Sequence, residues 1–224
     1  MILAQAGALL DRAWVASHVD QIVIRAVEHL GLTVAAVGVG TVIALPLGIF
    51  THRYRRAAAP LRWLGGLLSL IPSLALLALL VPFTGPTSLT ALLGLASYVV
   101  LILVRRIVAG LDAVGAEVKE AALGSGMGRG AVLRRVELPV AMPAIVSGIR
   151  VATVTTIGLV TLTALIDRAG LGAFILDGLE QAFPTAIFVG AAGSIALAAM
   201  TNVAIMGLRR FLAPWSRLAS EASG

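Results

Sequence analysis

Cysteine is absent from the 224 residues, which removes disulfides and thiolate metal sites, and the three scattered histidines supply no ligand cluster. Redox and zinc chemistry are excluded. Lysine occurs once, at Lys119, so the phosphate-binding pattern G-x-x-x-x-G-K-[ST] cannot be written anywhere in the chain. Charge is scarce too. Charged residues are 12% of the chain against 59% hydrophobic, and the mean hydropathy of +1.00 lies outside the range of a soluble globular domain. What remains is an all-α membrane protein. The net charge of +6 comes from basic residues that flank apolar runs and line no soluble face, so it is a topological signal and no nucleic-acid partner is expected. No cleavable signal peptide is expected either: Met1 to Leu10 has no basic n-region, and Asp11 and Arg12 follow without a small-residue cleavage pattern.

Runs of about 20 apolar residues are needed to cross the hydrocarbon core. Five qualify: Leu30 to Phe50, Leu64 to Phe83, Ser88 to Val104, Val140 to Ile166 and Thr185 to Leu208. Arg53, Arg55, Arg56 and Arg62, then Arg105, Arg106, Lys119, Arg129, Arg134 and Arg135, then Arg209, Arg210 and Arg217 fall on one side of this alternation. The other side holds three arginines against Asp11, Asp20, Glu28, Asp167, Asp177 and Glu180. Loops rich in Arg and Lys stay in the cytoplasm, which predicts an external N-terminus, an internal C-terminus and a cytoplasmic loop over 105–139. The expected division is an external amphipathic segment over 1–27, one transmembrane domain over 28–208 and a cytoplasmic tail over 209–224. Asp167 to Pro184 reads as a short external helix with Leu171, Phe174, Ile175 and Leu179 opposed to Asp177 and Glu180.

Small residues recur every four positions at Ala36, Gly40, Ala44 and Gly48, and again at Gly190, Ser194 and Ala198. They let helix backbones approach where lipid offers no hydrophobic drive, either between subunits or within one chain. Pro46 and Pro82 read as span terminations, and Pro72 as a hinge or static kink inside a span. Arg150 stands about ten residues into the fourth span, where an unpaired arginine costs about 2.5 to 3.5 kcal/mol. It lines a path, or anchors and snorkels. Thr153, Thr155, Thr156, Thr161 and Thr163 give the same helix hydroxyls that line such a path or bond their own backbone. No carboxylate lies within a span, which argues against a proton-coupled carrier.

Between two apolar runs stands EAALGSGMGRGAVLRRVELP, Glu120 to Pro139. A helix over Val114 to Leu123, a break at Gly124, Gly126 and Gly128 and a basic helix with Arg129, Arg134 and Arg135 are predicted, with Pro139 and Pro143 restarting the chain in the next apolar helix. Glu120-Ala121-Ala122, three residues, Gly126, nine residues and Val136-Glu137-Leu138-Pro139 resembles the EAA signature of the membrane-spanning subunits of bacterial ABC importers. That resemblance implies the type I importer permease fold, with Glu120, Ala121, Ala122, Gly124, Gly126, Leu138 and Pro139 forming the ATPase-coupling element and Pro72, Arg150, Thr153 and Thr156 on a translocation path. It also implies an ABC ATPase dimer that binds ATP and magnesium, a second permease copy or paralogue, an external substrate-binding protein and membrane lipid as partners. Arg134 and Arg135 would meet the ATPase or anionic lipid, or serve topology alone.

Glu28-His29-Leu30, Pro46-Leu47-Gly48-Ile49, Ile71 to Leu77 and Gly148-Ile149-Arg150 look like the permeases of glycine betaine, carnitine and choline osmoprotectant importers. Ile166-Asp167-Arg168-Ala169-Gly170-Leu171-Gly172 puts charge where that family has a glycine-rich run. The expected function is osmoprotectant import across the bacterial cytoplasmic membrane, with no enzyme activity on this chain. Methionine or another amino acid is the alternative cargo, and a channel or scaffold subunit without an ATPase is the alternative class. These part at the EAA segment. Gly126→Asp or Glu120→Arg is expected to leave membrane insertion intact and abolish ligand-stimulated ATP hydrolysis in the assembled complex, whereas a channel would tolerate both.

Overall fold

A computed structural model describes residues 10–54, 56, 59, 63, 66 and 70–212, and every regular element in them is helical. Helix α1, Arg12–Ser17, starts where the Asp11 carboxylate accepts from the backbone N–H groups of Ala13 and Trp14 at 2.9 and 3.1 Å, satisfying two donors that a helix start leaves open. Helix α2, Val19–Arg53, follows and runs for 35 residues, about 50 Å at 1.5 Å per residue. The expected first span lies inside it. Residues 19–27, expected to belong to a separate external segment, continue the same helix, because no glycine or proline interrupts the sequence before the apolar run begins.

Helix α3, Ser73–Thr84, has 12 residues and supplies the end of the expected second span; of the residues before it, only Trp63, Gly66, Leu70, Ile71 and Pro72 are described between 60 and 72. Pro72 caps α3 from outside at φ −57°, ψ 140°, so it starts a helix and does not kink one. Pro46 and Pro82, expected at span ends, lie within α2 and α3 instead. Helix α4 is Ser88–Asp112, α5 Ala116–Gly124, α6 Arg129–Val132, α7 Leu138–Asp167, α8 Gly172–Glu180 and α9 Pro184–Leu212.

Between α6 and α7 the helix does not stop. Leu133–Glu137 widens to a π turn in which the Leu138 N–H donates to the Leu133 carbonyl. Pro139 has no N–H to give and its ring would press on the carbonyl four residues back, and the wider turn relieves that contact. The expected restart at Pro139 and Pro143 is therefore replaced by one continuous helical path, and Pro143 sits inside α7. Among the described residues, four stretches are long and apolar enough to cross a membrane: Val19–Arg53, Ser88–Asp112, Arg129–Asp167 and Pro184–Gly207.

Contacts divide the chain into two units. The first comprises Met1–Gly38, Ile71–Ser97 and Thr153–Asn202, with Ala36, Leu95 and Val160 fully enclosed at its centre. Glycine sets its spacing: a Cβ at Gly190 would stand 2.7 Å from Ile175 and from the Leu171 carbonyl, and one at Gly172 would collide with the Thr161 carbonyl. In α8, Leu171 and Phe174 are buried as expected, but Leu179 is 64% exposed. Gly178 takes the inner place, since its missing Cβ admits Ile187 at 2.7 Å and the Phe183 carbonyl at 2.9 Å.

The second unit comprises Val39–Leu70, Tyr98–Ala152 and Val203–Gly224. Here absent Cβ atoms at Gly48, Gly110 and Gly148 make room for Ile107 at 2.6 Å, Ala144 at 2.9 Å and Arg106 at 2.8 Å. Ala36, Gly40, Ala44 and Gly48 are all buried, as are Gly190 and Ser194, with Ala198 half-buried. The stripes thus serve packing within the chain. Gly172→Ala is expected to lower stability by about 1–3 kcal/mol through backbone displacement, while Gly38→Ala, with open space around it, leaves it unchanged or raised; thermal unfolding in detergent distinguishes the two.

Candidate functional site

The polar segment after α4 belongs to the second unit and is built locally. Val114, 4% exposed, anchors the chain before Gly115, whose extended ψ of 144° opens α5. None of the α5 residues is buried. Glu117, Glu120, Ala121 and Gly124 are exposed, whereas Lys119 and Ala122 turn toward the protein. Val118 and Leu123 are 50% and 44% exposed, so the outward surface of α5 combines carboxylates with small and apolar groups.

The helix ends in a Schellman motif. The Gly126 N–H donates to the Leu123 carbonyl at 3.0 Å and the Met127 N–H to the Ala122 carbonyl at 3.2 Å, a pairing that needs a left-handed residue between them. Gly126 supplies it at φ +86°, where a side chain would be strained. Gly124, expected to break the helix, is still inside it, and the turn is made by Gly126 and by Gly128, the extended residue that precedes α6. The three-residue gap between Ala122 and Gly126 is the length this cap requires.

Beneath α5 lies an ionic cluster not anticipated from the sequence. Lys119 Nζ is 3.0 Å from Glu137 Oε1 and donates to the Leu111 carbonyl at 3.3 Å. His52 Nδ1 meets Asp112 Oδ1 at 2.6 Å, and its Nε2 lies 3.6 Å from Glu137 Oε1. The Glu137 and His52 side chains are 12% and 13% exposed. Ends of α2 and α4, α5 and the π turn therefore share one set of charges. Its only sequence signal was the singularity of Lys119 and the glutamate of Val136-Glu137-Leu138-Pro139. Leu138 and Pro139 are half-buried beside it in the chain, and a cavity of about 290 Å³ opens against Ile49, His52, Arg53, Lys119, Arg129 and Glu137.

Of the residues read as a path, Arg150, Thr153 and Thr156 recur at three-residue spacing along α7, and Pro72 stands just before α3. Pro72 is exposed and Arg150 half-buried, while Thr153 and Thr156 are buried. Arg150 has no ion-pair partner among the described residues. Thr161 and Thr163 donate to the Gly158 and Val160 carbonyls at 2.7 and 2.8 Å, so these two hydroxyls serve their own helix. Thr156 Oγ1 has no hydrogen-bond partner among the described residues.

In the first unit, Arg25, Glu28 and His29 on one face of α2 clamp the end of α7 and its loop. Arg25 donates to the Arg168 carbonyl at 2.7 Å, Glu28 Oε2 accepts from the Gly170 N–H at 3.1 Å, and His29 Nε2 donates to the Ile157 carbonyl at 2.9 Å. Ser88 bonds Asp167. Arg168 adopts φ +47° and reaches Glu180 at 2.8 Å and Asp177 at 2.8 Å; the hydrogen bond it donates to the Glu180 carboxylate holds its guanidinium pKa above the ordinary value. Arg168 thus ties this loop to α8 by ion pairs, and Asp167 ties it to Ser88 by a hydrogen bond.

Residues 38–218 match the family model described as the binding-protein-dependent transport system inner membrane component. The chain is 34% identical over 187 residues to the choline transport system permease protein OpuBB of Bacillus subtilis, covering 84% of this chain and 86% of that one. It is 34% identical over 192 residues to the osmoprotectant import permease protein OsmW of Salmonella typhimurium, covering 84% and 89%. The carnitine transport permease protein OpuCB of Listeria monocytogenes is 33% identical over 187 residues, covering 84% and 86%. An inward-facing structure of the MetNI methionine ABC transporter superposes with a TM-score of 0.74 at 21% identity, covering 85% of this chain and 95% of that one, which shows a common fold.

The cap at Gly126 is directly testable. No atom lies within 4 Å of a Cβ placed there, so substitutions act through backbone conformation alone. Gly126→Val is expected to cost the cap about 1–2 kcal/mol or more and Gly126→Asn distinctly less, because asparagine tolerates the left-handed region; hydrogen exchange at the Gly126 and Met127 amides reads the difference.

Proposed function

The chain belongs to the family of binding-protein-dependent transport system inner membrane components, and from that membership we propose that it imports a small quaternary-amine osmoprotectant of the glycine betaine, choline or carnitine type. It is a multi-pass membrane permease of the ABC class. The observation that carries the mechanism is α5, a short helix with no buried residue, capped by Gly126 and presenting Glu120, Ala121, Val118 and Leu123 outward. Such a surface is suited to seating in a groove of a partner. In this reading the partner is an ATPase dimer, which holds ATP and magnesium, and Glu120 faces one of its basic groups.

The site lies in the cytoplasm of a bacterial cell, and the N-terminus lies outside. That orientation follows from the arginine distribution and from reading the apolar run over 64–83, of which α3 covers 73–83, as a fifth crossing. A second copy or a paralogue completes the pore, and an external binding protein delivers the solute. The clamp among Arg25, Glu28, Arg168 and Gly170 gives the first unit a fixed external loop for that delivery. Aromatic residues, the usual partners of a quaternary ammonium group, are only 5% of the chain. Selection therefore rests with the binding protein.

Uptake of radiolabelled glycine betaine, choline and carnitine, with methionine alongside, in vesicles containing the permease, its ATPase and its binding protein tests this reading. ATP-dependent uptake of a quaternary amine is expected. Uptake of methionine alone would retain the ATPase coupling and reject the osmoprotectant assignment.

A further inference from the structure

Four elements of the second unit meet in one chain of charges, in which Lys119 and His52 approach Glu137 and His52 also pairs with Asp112. Lys119 comes from α5, Glu137 closes the π turn, His52 stands one residue from the end of α2 and Asp112 is the last residue of α4. Glu137 and His52 are largely enclosed, and Lys119, 24% exposed, is the covering cation. A carboxylate so placed is costly to leave without a cation. Any displacement of α5 that withdraws Lys119 must therefore supply another.

The cavity beside the cluster provides it. Arg53 and Arg129 line the same cavity as Lys119 and Glu137, and neither has a carboxylate partner among the described residues. The Arg53 guanidinium lies 5.9 Å from the Tyr54 ring centre, a contact weaker than an ion pair. The cavity of about 290 Å³ borders both arginines and Glu137, and Glu137 is carried by a π turn, a helix form frequent at functional sites.

We propose that Glu137 is an exchangeable ion-pair hub that transmits motion of α5 to α2 and α4. In the arrangement seen here Lys119 holds it. When α5 shifts, Glu137 passes to Arg53 or Arg129, and the withdrawal of Lys119 also releases the Leu111 carbonyl at the end of α4. Two discrete pairings of one carboxylate give the two-state element that long-range coupling requires. Lys119, Glu137, Arg53 and Arg129 are positioning residues in this scheme, and none touches the transported solute. The inference rests on the proposed coupling of α5 to an ATPase.

The test uses the full complex of permease, ATPase and binding protein in vesicles, with two readouts: yield of assembled complex and solute moved per ATP hydrolysed. Lys119→Met and the double variant Arg53→Met/Arg129→Met are each expected to assemble in normal yield and to lower the transport ratio about fivefold or more. Lys119→Arg, which keeps the charge, is expected to preserve it. An unchanged ratio in either Met variant overturns the hub, as does a loss confined to assembly with the ratio intact, since that marks a static brace. Absence of ATP-driven uptake by the unsubstituted complex would overturn the proposed function and the hub with it, whereas normal uptake with unchanged variants removes the hub alone.

Discussion

Hydrocarbon offers no hydrogen-bond partner, so each backbone N–H and C=O within the membrane must be satisfied by the chain itself. Everything in this structure is organised by that demand. It makes every described regular element a helix, and it makes each proline an event that neighbouring backbone must absorb. The π turn at Leu133–Glu137 is the clearest response: the helix widens before Pro139 and continues. Helices so satisfied have no hydrophobic reason to associate in lipid, and they pack through glycine. Gly48 against Ile107, Gly148 against Arg106 and Gly190 against Leu171 are contacts that any larger residue would forbid.

The same rule explains where polar chemistry is tolerated. Most charges collect beyond the apolar runs, and several of them are paired in clusters. At the ends of α2 and α4, Glu137 gathers Lys119 and His52. In the first unit, Glu28 and Arg25 fasten the loop that follows α7, and Arg168 fastens α8. Both clusters hold short helices. Helix α5, with no buried residue, depends on Lys119, on Val114 and on its Gly126 cap for its position, so its exposed face can be given over to a partner.

Much of this was legible beforehand because it is carried by spacing. Apolar run lengths marked the spans over 88–104, 140–166 and 185–208 to within a few residues at one end or both, and the glycine run from Gly124 to Gly128 marked the turn that Gly126 makes. Position within a helix was less legible. Pro46 and Pro82 read as terminations yet lie inside helices, and Gly124 read as a break yet remains in α5. In each case the local preference is weak against a continuous helical path. Leu179 was assigned inward by its period, but a glycine one residue earlier allows the backbone to come closer than any side-chain pattern indicates.

The sequence alone determined the solvent this protein lives in, the helices that solvent permits and the family signature on the loop over 105–139, because composition, run length and glycine spacing are properties of neighbours along the chain. Only the tertiary structure decided that Lys119, Glu137, His52 and Asp112 share one cluster and that Arg25 and Glu28 hold a loop more than 140 residues away. Ion pairs and hydrogen bonds act over a few ångströms of space, and no rule of sequence spacing states which distant residues folding will bring within that reach.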